Sequence, residues 1–128
     1  MTLRVRGIRG AVTVEKDQAE EVVQTTETLL REMIQANQLE AEDVASIWIT
    51  ATEDIVSAFP AQAIRNIEGW SMVPVLCARE IPVPQSLAMC IRIMLHVNTT
   101  LRQDEINHVY LKGAKQLRPD LNLTQKRS

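Results

Sequence analysis

Residues Cys90 to Val97 read CIRIMLHV and show the clearest strand pattern in the chain. Because the side chains of a strand alternate between two faces, its isoleucines, leucine and valine share one face, which predicts a core position. The other face carries Cys90, Arg92, Met94 and His96. Cysteine and methionine are poor choices for a face washed by water, so we expect another subunit to cover this second face.

Arg92 has two interpretations at this point. A lone arginine on a strand is most often a solvated charge. Under a covering subunit, the same guanidinium would lose water and would need an anion as its partner. Arginines outnumber lysines ten to four in the chain. This preference suits the planar, bidentate recognition of carboxylates better than a generic basic surface.

A long helix is predicted after a first strand over residues 1–14, which mix β-branched residues, arginines and glycines. Asp17, with Glu20 three residues later, resembles a capping box and marks the predicted start of the helix. Apolar residues then recur at helical spacing, with Thr26 filling a gap in the stripe. They are Val22, Val23, Leu29, Leu30, Met33 and Ile34. The pattern predicts an amphipathic helix of about five turns that packs one face on a flat surface.

The remaining elements follow from β-rich runs and from prolines. The predicted elements are strands over 45–50, 73–78, 90–97 and 108–117, and a short helix over 57–65 with Pro60 in its first turn. Residues 81–84 cannot extend the third strand, because two prolines there remove hydrogen-bond donors. The fold class predicted is therefore α+β (mixed α/β), with a five-stranded mixed sheet packed on one long helix plus short helical turns.

Composition narrows the classes of function. The 128 residues predict one domain over 1–128, with a tail over 122–128 that frays unless a ligand or neighbour orders it. Fourteen Lys and Arg against sixteen Asp and Glu give a net charge of -2, and only four residues are aromatic. Such a balance disfavours nucleic-acid binding by counterion release or base stacking. No apolar run approaches the ~20 residues of a spanning helix, which predicts no membrane association.

The two cysteines, Cys77 and Cys90, form no C-x-x-C pattern, and charges interrupt the N-terminus where a signal peptide needs an apolar run. We therefore expect a cytoplasmic protein with reduced thiols. His96 lies about 20 Å from Cys90 on an extended strand, too far to share a metal, so no metal site is predicted. The sequence also contains no Ser-His-Asp pattern, glycine-rich phosphate loop or spaced carboxylate dyad. Any chemistry should thus depend on positioning and electrostatics.

Several blocks of the chain, in conserved order, resemble one enzyme family. They are Val5–Glu15, Phe59–Arg65, Gly69–Val75, Cys90–Met94, His108–Leu111 and Leu117–Leu121. In these blocks the chain resembles the small monofunctional chorismate mutases of the trimeric α/β type, the AroH class. The resemblance implies the isomerisation of chorismate to prephenate by a [3,3]-sigmatropic rearrangement, in phenylalanine and tyrosine biosynthesis, without a cofactor. It also implies a homotrimer that forms a pseudo-α/β barrel, with active sites at subunit interfaces.

The resemblance also implies roles for five residues. Arg92 is similar to the residue that faces the ether oxygen and a carboxylate of the substrate, and Arg9 to one that binds a carboxylate. Glu80 would accept a hydrogen bond from the substrate hydroxyl. Cys77 would line the same side, and Tyr110 would donate to a carboxylate. In an ideal strand Cys77 and Glu80 point to opposite faces, so we expect a twist or turn between them.

Further residues would wall the pocket or stand near its mouth. The implied substrate-binding residues are Phe59, Ala61, Arg65, Val75, Leu76, Ala78, Arg79, Leu117 and Arg118. Within this resemblance, Gln62 stands where relatives often carry lysine, and Leu76 replaces a polar residue that some relatives carry. The departure at Gln62 puts a contribution of that position to substrate capture in doubt.

Two alternatives stay open at this point. An enamine/imine deaminase of the small trimeric α/β kind also holds a carboxylate with an arginine at a subunit interface. A non-catalytic trimer that binds a metabolite of the aromatic pathway would need the same arginines but no turnover. Cys77, Glu80, Arg92 and Tyr110 together favour the mutase.

Overall fold

The structure, a computed structural model, describes residues 2–117 and contains one five-stranded mixed sheet. Its main elements are β1 (Arg4–Thr13), α1 (Ala19–Asn37), β2 (Val44–Ala51), β3 (Val75–Arg79), β4 (Cys90–Thr99) and β5 (Val109–Leu111). The strands lie in the order β3-β2-β4-β1-β5. The central strand β4 is antiparallel to both β1 and β2, while β3 and β5 run parallel to their neighbours β2 and β1. The predicted α+β class with a five-stranded mixed sheet is confirmed.

One face of the sheet packs against α1. The predicted apolar stripe of α1 is largely buried, with Thr26 inside it and donating its hydroxyl to the carbonyl of Val22 at 2.7 Å. Gly10 of β1 allows this close packing, because a Cβ at that position would overlap the sulfur of Met33. Sheet and helix therefore share one apolar core, in which α1 packs against β1 and β5.

The capping box predicted at Asp17 and Glu20 is wrong. Gln18 occupies the N-cap position of α1, and its side chain makes no capping hydrogen bond. The Asp17 carboxylate instead accepts hydrogen bonds from the backbone N–H groups of Val56 (3.1 Å) and Ser57 (3.0 Å). The loop after β2 lies close to Asp17. The carboxylate therefore accepts from these two loop N–H groups and not from the free N–H groups at the start of α1.

The last strand is shorter than the predicted 108–117. It ends at Leu111, because Lys112 adopts a left-handed backbone with φ 53° and residues 112–116 turn into a 3₁₀ helix. The pairing stops at Val12 and Leu111 although β1 itself continues to Thr13, so the turn at Lys112 ends the strand. The hydroxyl of Thr13 accepts a hydrogen bond from the N–H of Gly113 at 3.0 Å, which fixes the turn.

The predicted short helix is present as a 3₁₀ helix over Pro60–Asn66, with Pro60 in its first turn, three residues later than the expected start at Ser57. The third strand likewise begins at Val75 rather than at residue 73. Residues 81–84 lie outside the strands, as their prolines predict. Within residues 2–117, no helix has the length and apolar character needed to cross a membrane.

Candidate active site

The predicted catalytic arginines lie on the face of the sheet that α1 does not cover, called here the bare face. Strand β4 alternates as predicted, with Ile91, Ile93, Leu95 and Val97 buried in the core. Arg92 therefore points to the bare face, between Ala11 of β1 and Thr50 of β2, which are its cross-strand partners. Arg9 of β1 lies opposite Met94 on the same face.

Arg92 and Glu80 form an ion pair on the bare face. The Nε–H of Arg92 donates to Oε1 of Glu80 at 3.1 Å, and Nε lies 3.0 Å from Oε2, so the guanidinium is close to both carboxylate oxygens. The Thr50 hydroxyl donates to Oε2 at 2.7 Å. The Glu80 side chain is 14% exposed and that of Arg92 is 45% exposed. The carboxylate is thus held on two sides, while the guanidinium remains open to solvent.

A cavity of about 310 Å³ lies beside this ion pair. Its lining residues are Arg9, Gly10, Ala11, Trp48, Thr50, Arg92, Ile93, Met94, Tyr110 and Leu117. Within residues 2–117, the guanidinium of Arg9 makes no hydrogen bond or ion pair, although its backbone N–H donates to Nδ1 of His108 at 2.9 Å. The cavity therefore offers two arginines to an anionic ligand.

Tyr110 is buried in a small apolar cluster at the end of this cavity. It packs with Ala11, Cys90 and Ala114, and only 6% of the residue is exposed. Within the described residues its hydroxyl makes no hydrogen bond, and yet no buried side-chain oxygen there lacks a partner. The hydroxyl therefore reaches the open space of the cavity, where it can donate to a ligand.

Cys77 does not join these residues within one chain. It pairs with Ile49 on the core face of the sheet, whereas Ala78 pairs with Thr50 on the bare face. Glu80 keeps the parity of Ala78 and reaches Arg92, so the expected twist between Cys77 and Glu80 is absent and that prediction is wrong. Regular strand alternation simply continues past the end of β3.

Cys77 lines a second cavity, of about 550 Å³, at the β3 edge of the sheet. Phe59, Ala78 and Arg79 line the same cavity. Phe59 is 71% exposed there, which is unusual for an isolated phenylalanine in water. Eight predicted residues thus line two separate cavities. Arg9, Arg92, Tyr110 and Leu117 line the first, and Phe59, Cys77, Ala78 and Arg79 line the second.

The other predicted substrate-binding residues lie in varied surroundings. Ala61 and Val75 are half-buried and pack against the main core. Leu76 is 59% exposed on the edge strand, and Arg65 is exposed on the 3₁₀ helix. Arg118 and the tail over 122–128 lie outside the described residues.

Neither cysteine is disposed to act as a nucleophile. Burial raises the pKa of the Cys77 thiol, and it raises the pKa of Cys90 to about 11. Both cysteines are free. Since the thiolate is the reactive form, both side chains remain neutral thiols near pH 7 and serve as apolar wall residues.

Six residues that line the first cavity were not predicted as site residues: Gly10, Ala11, Trp48, Thr50, Ile93 and Met94. The strand pattern placed Met94 on the correct face, but it predicted only that another subunit covers this residue. Trp48 and Thr50 share a parity on β2, and the alternation of that strand could have placed both on one face. Only the pairing of β2 with β4 brings Thr50 opposite Arg92.

Comparisons with known proteins point to one family. The family model described as chorismate mutase type I matches residues 5–121. The chorismate mutase AroH of Bacillus subtilis (strain 168) is 47% identical over 123 residues, covering 96% of this chain and 97% of the relative. That of Thermus thermophilus is 51% identical over 122 residues, covering 94% and 99%. A solved chorismate mutase from Clostridium thermocellum is 50% identical, with a TM-score of 0.84 over 87% of this chain and 98% of the other.

Proposed function

The chain belongs to the chorismate mutase type I family, and from that premise we propose how its residues convert chorismate to prephenate. The activity is that of an isomerase, in the biosynthesis of aromatic amino acids. The family match favours this reaction over the deaminase and the metabolite-binding trimer that the sequence left open. The residue roles and the assembly given below are our proposals.

The reaction makes few chemical demands on the protein. An ether C–O bond breaks while a C–C bond forms within the same molecule, so that no proton, electron pair or group leaves the substrate. The protein must hold a flexible dianion in its compact reactive conformation, and orientation of this kind can lower a barrier by ~7–11 kcal/mol in favourable intramolecular models. It must also stabilise the negative charge that develops on the ether oxygen.

Arg92 supplies that charge stabilisation. Its Nε is occupied by Glu80 and one further contact joins its side chain to the Cys90 thiol, which leaves its other N–H donors without a hydrogen bond among residues 2–117. These donors are thus available to the ether oxygen and to a carboxylate of the substrate, and the tether to Glu80 fixes them before the substrate arrives. This tethered guanidinium at the wall of the cavity is the observation that carries the proposal. Glu80 in turn would accept a hydrogen bond from the substrate hydroxyl.

Arg9 and Tyr110 bind the carboxylates. The Arg9 guanidinium lines the cavity without a partner among the described residues, and the Tyr110 hydroxyl reaches the same space. A planar guanidinium can bind a carboxylate in bidentate fashion, which fixes both position and orientation. Together with Arg92 they match a substrate that carries two negative charges.

We further propose a homotrimer in which each pocket joins the two cavities from neighbouring chains. Two observations support this: the site residues divide between separate cavities in one chain, and apolar side chains stand uncovered on the bare face. Trp48 is 45% exposed, Leu76 59% and Val5 60%. Contiguous exposed apolar surface of this kind marks interaction sites.

The reaction is tested by mixing the purified chain with chorismate and following its conversion to prephenate by absorbance. Arg92→Ala is the informative variant. Arg102→Ala is its matched control, because Arg102 also pairs with a carboxylate, that of Asp104, but its side chain is 74% exposed. Turnover by the wild type and by Arg102→Ala, but not by Arg92→Ala, supports the proposal. Equal turnover by both variants contradicts the role of Arg92.

The shared pocket is tested by complementation. Phe59→Asp puts a carboxylate beside the dianion in the second cavity, and Arg92→Ala disables the first. Refolded together in equal amounts, two inactive variants should recover about a quarter of wild-type activity, because that fraction of the pockets combines two intact halves. Arg92→Ala refolded with Glu80→Ala, which belongs to the same half, should recover none. Recovery in neither mixture contradicts a pocket built from two chains.

Residues 1–128 are proposed to serve as one chorismate mutase domain, which the match over 5–121 supports. The cytoplasmic location stays a prediction, for which the free thiols of Cys77 and Cys90 provide support.

A further inference from the structure

Thr50 is an uncharged residue that lies between the two charged residues of the candidate site, Arg92 and Glu80. It is half-buried on β2, its cross-strand partners are Arg92 and Ala78, and it lines the same cavity as Arg9. Its hydroxyl donates to Oε2 of Glu80 at 2.7 Å. A short hydrogen bond to a charged acceptor is stronger and more directional than one between neutral groups.

The hydrogen bonds of Glu80 explain what this contact does. The backbone N–H of Glu80 donates to the carbonyl of Ala51 at 3.0 Å, which holds the main chain beside β2. The carboxylate is then reached from one side by Thr50 and from the other by Nε of Arg92, which lies 3.0 to 3.1 Å from both oxygens. Without the hydroxyl, the carboxylate could rotate about its terminal torsion, which is broad for this residue type.

Rotation of the carboxylate would release Arg92. Its Nε contact to Glu80 is the only ion pair that Arg92 makes within residues 2–117, and its side chain is 45% exposed. A long side chain keeps its orientation only while its anchors stay fixed, and Glu80 is the charged anchor here, since the other contact is to the neutral thiol of Cys90. The direction of the Nη groups toward the cavity therefore depends on Thr50 through Glu80.

We propose that Thr50 is a positioning residue for the rearrangement: its hydroxyl orients the Glu80 carboxylate, and this orientation sets the guanidinium of Arg92 toward the substrate. The inference rests on the proposed roles of Arg92 and Glu80. Thr50 acts before the substrate binds, by preorganising the charge that the transition state needs. It therefore affects turnover more than substrate affinity, because Arg9 and Tyr110 remain in place to bind the carboxylates.

The test compares Thr50→Val, which keeps the shape and removes the hydroxyl, with Thr50→Ser, which keeps the hydroxyl. Thr50→Val should lower kcat by about tenfold to a hundredfold with a smaller change in KM, and Thr50→Ser should restore most of the loss. Thr28→Val is the matched control, since the Thr28 hydroxyl bonds to the carbonyl of Gln24 on the exposed side of α1. It should leave kcat unchanged.

A double-mutant cycle with Glu80 separates positioning from a merely structural role. If Thr50 acts through Glu80, Thr50→Val should change kcat by less than about twofold when Glu80→Ala is already present. The same fold-loss in both backgrounds would overturn the inference. Thr50→Ala repeats the measurement without the added methyl group, and the melting temperature of each variant confirms that it is folded.

The outcomes distinguish this inference from the proposed function. Wild-type turnover in Glu80→Ala would remove the role proposed for Glu80 itself and this inference with it. Impaired Glu80→Ala together with wild-type turnover in Thr50→Val would overturn the inference about Thr50 alone. Loss in Thr50→Val without rescue by Thr50→Ser would also overturn it, because the serine hydroxyl can make the same hydrogen bond.

Discussion

The two faces of the central sheet differ in what covers them and in what they do. The face under α1 is a dry core, in which Ile91 and Leu95 of β4 are 0% exposed and Ile93 is 2% exposed. The bare face carries the ion pair of Arg92 and Glu80 beside exposed apolar residues. Alternate residues of β4 point to the two faces, so one residue contributes to activity and the next to stability. Substitutions on the bare face should therefore lower turnover, and substitutions on the core face should lower the free energy of unfolding.

The largest effect is expected on the bare face. Arg92→Ala should lower kcat by about 100- to 1000-fold, which is the range for losing one preorganised donor at a developing oxyanion. The melting temperature should change little, because an exposed ion pair contributes little to stability. Steady-state kinetics and thermal unfolding on the same sample check both statements. A variant that melts well below the wild type would instead assign Arg92 a structural role.

Leu95→Ala makes the opposite change on the core face of the same strand. It should lower the free energy of unfolding by about 2–5 kcal/mol, because a fully buried leucine leaves a cavity. The turnover of the molecules that remain folded should stay close to that of the wild type. Met72→Ala, at a residue that is 90% exposed, is the control and should have almost no effect on unfolding. Denaturant titration measures all three proteins.

Glu80 tests whether charge or hydrogen bonding fixes Arg92. Glu80→Ala removes both, and should lower kcat by about a hundredfold or more, at least as much as Thr50→Val. Glu80→Gln keeps an oxygen that can accept from the Thr50 hydroxyl and should lower kcat less. Equal losses in the two variants would show that the negative charge, rather than hydrogen bonding, is what matters.

Gly10 tests how closely the core face is packed. Gly10→Ala places a Cβ where it overlaps the sulfur of Met33 and approaches Leu29. Overpacking of this kind costs about 1–3 kcal/mol in the free energy of unfolding. Gly69→Ala serves as a control for backbone strain without overpacking. A Cβ there would meet open space, but the backbone has φ 87°, which a residue with a side chain rarely adopts. If Gly10→Ala unfolds like the wild type, the helix is not as tightly packed as the structure indicates.

The smallest effect concerns the loop that Asp17 holds beside α1. Hydrogen bonds from the Ser57 side chain, and then from the N–H groups of Val56 and Ser57, lower the pKa of Asp17 below its usual 3.8. Because the folded pKa is the lower one, the contribution is complete above pH 3.8 and is lost as the pH falls through the folded value. Asp17→Asn should therefore show a melting temperature lower than that of the wild type near pH 6. The difference should shrink as the pH falls below 3.8, and a constant difference would contradict the ionised contact.

Elements with a strong period were predictable from the sequence. The alternation of Cys90–Val97 and the helical stripe from Val22 to Ile34 each bury one face whatever else surrounds them, so local pattern and final structure agree. The residues at which helices and strands begin and end were less predictable. Asp17 bonds to a loop about forty residues away, and the last strand stops at Leu111, where the backbone turns at Lys112 and Gly113 bonds to the Thr13 hydroxyl of β1. Such contacts depend on segments that are distant in the sequence.

The fold class, the face of β4 that carries Arg92 and the family were all predictable from the residues alone, because each depends on residue types at local or ordered spacings. Strand pairing sets three further features: Thr50 lies opposite Arg92, Glu80 reaches both, and Cys77 points to the other face. The physical reason is the register between strands, which is fixed by packing of the whole sheet on α1. A shift of one residue in that register would move every one of these side chains to the opposite face.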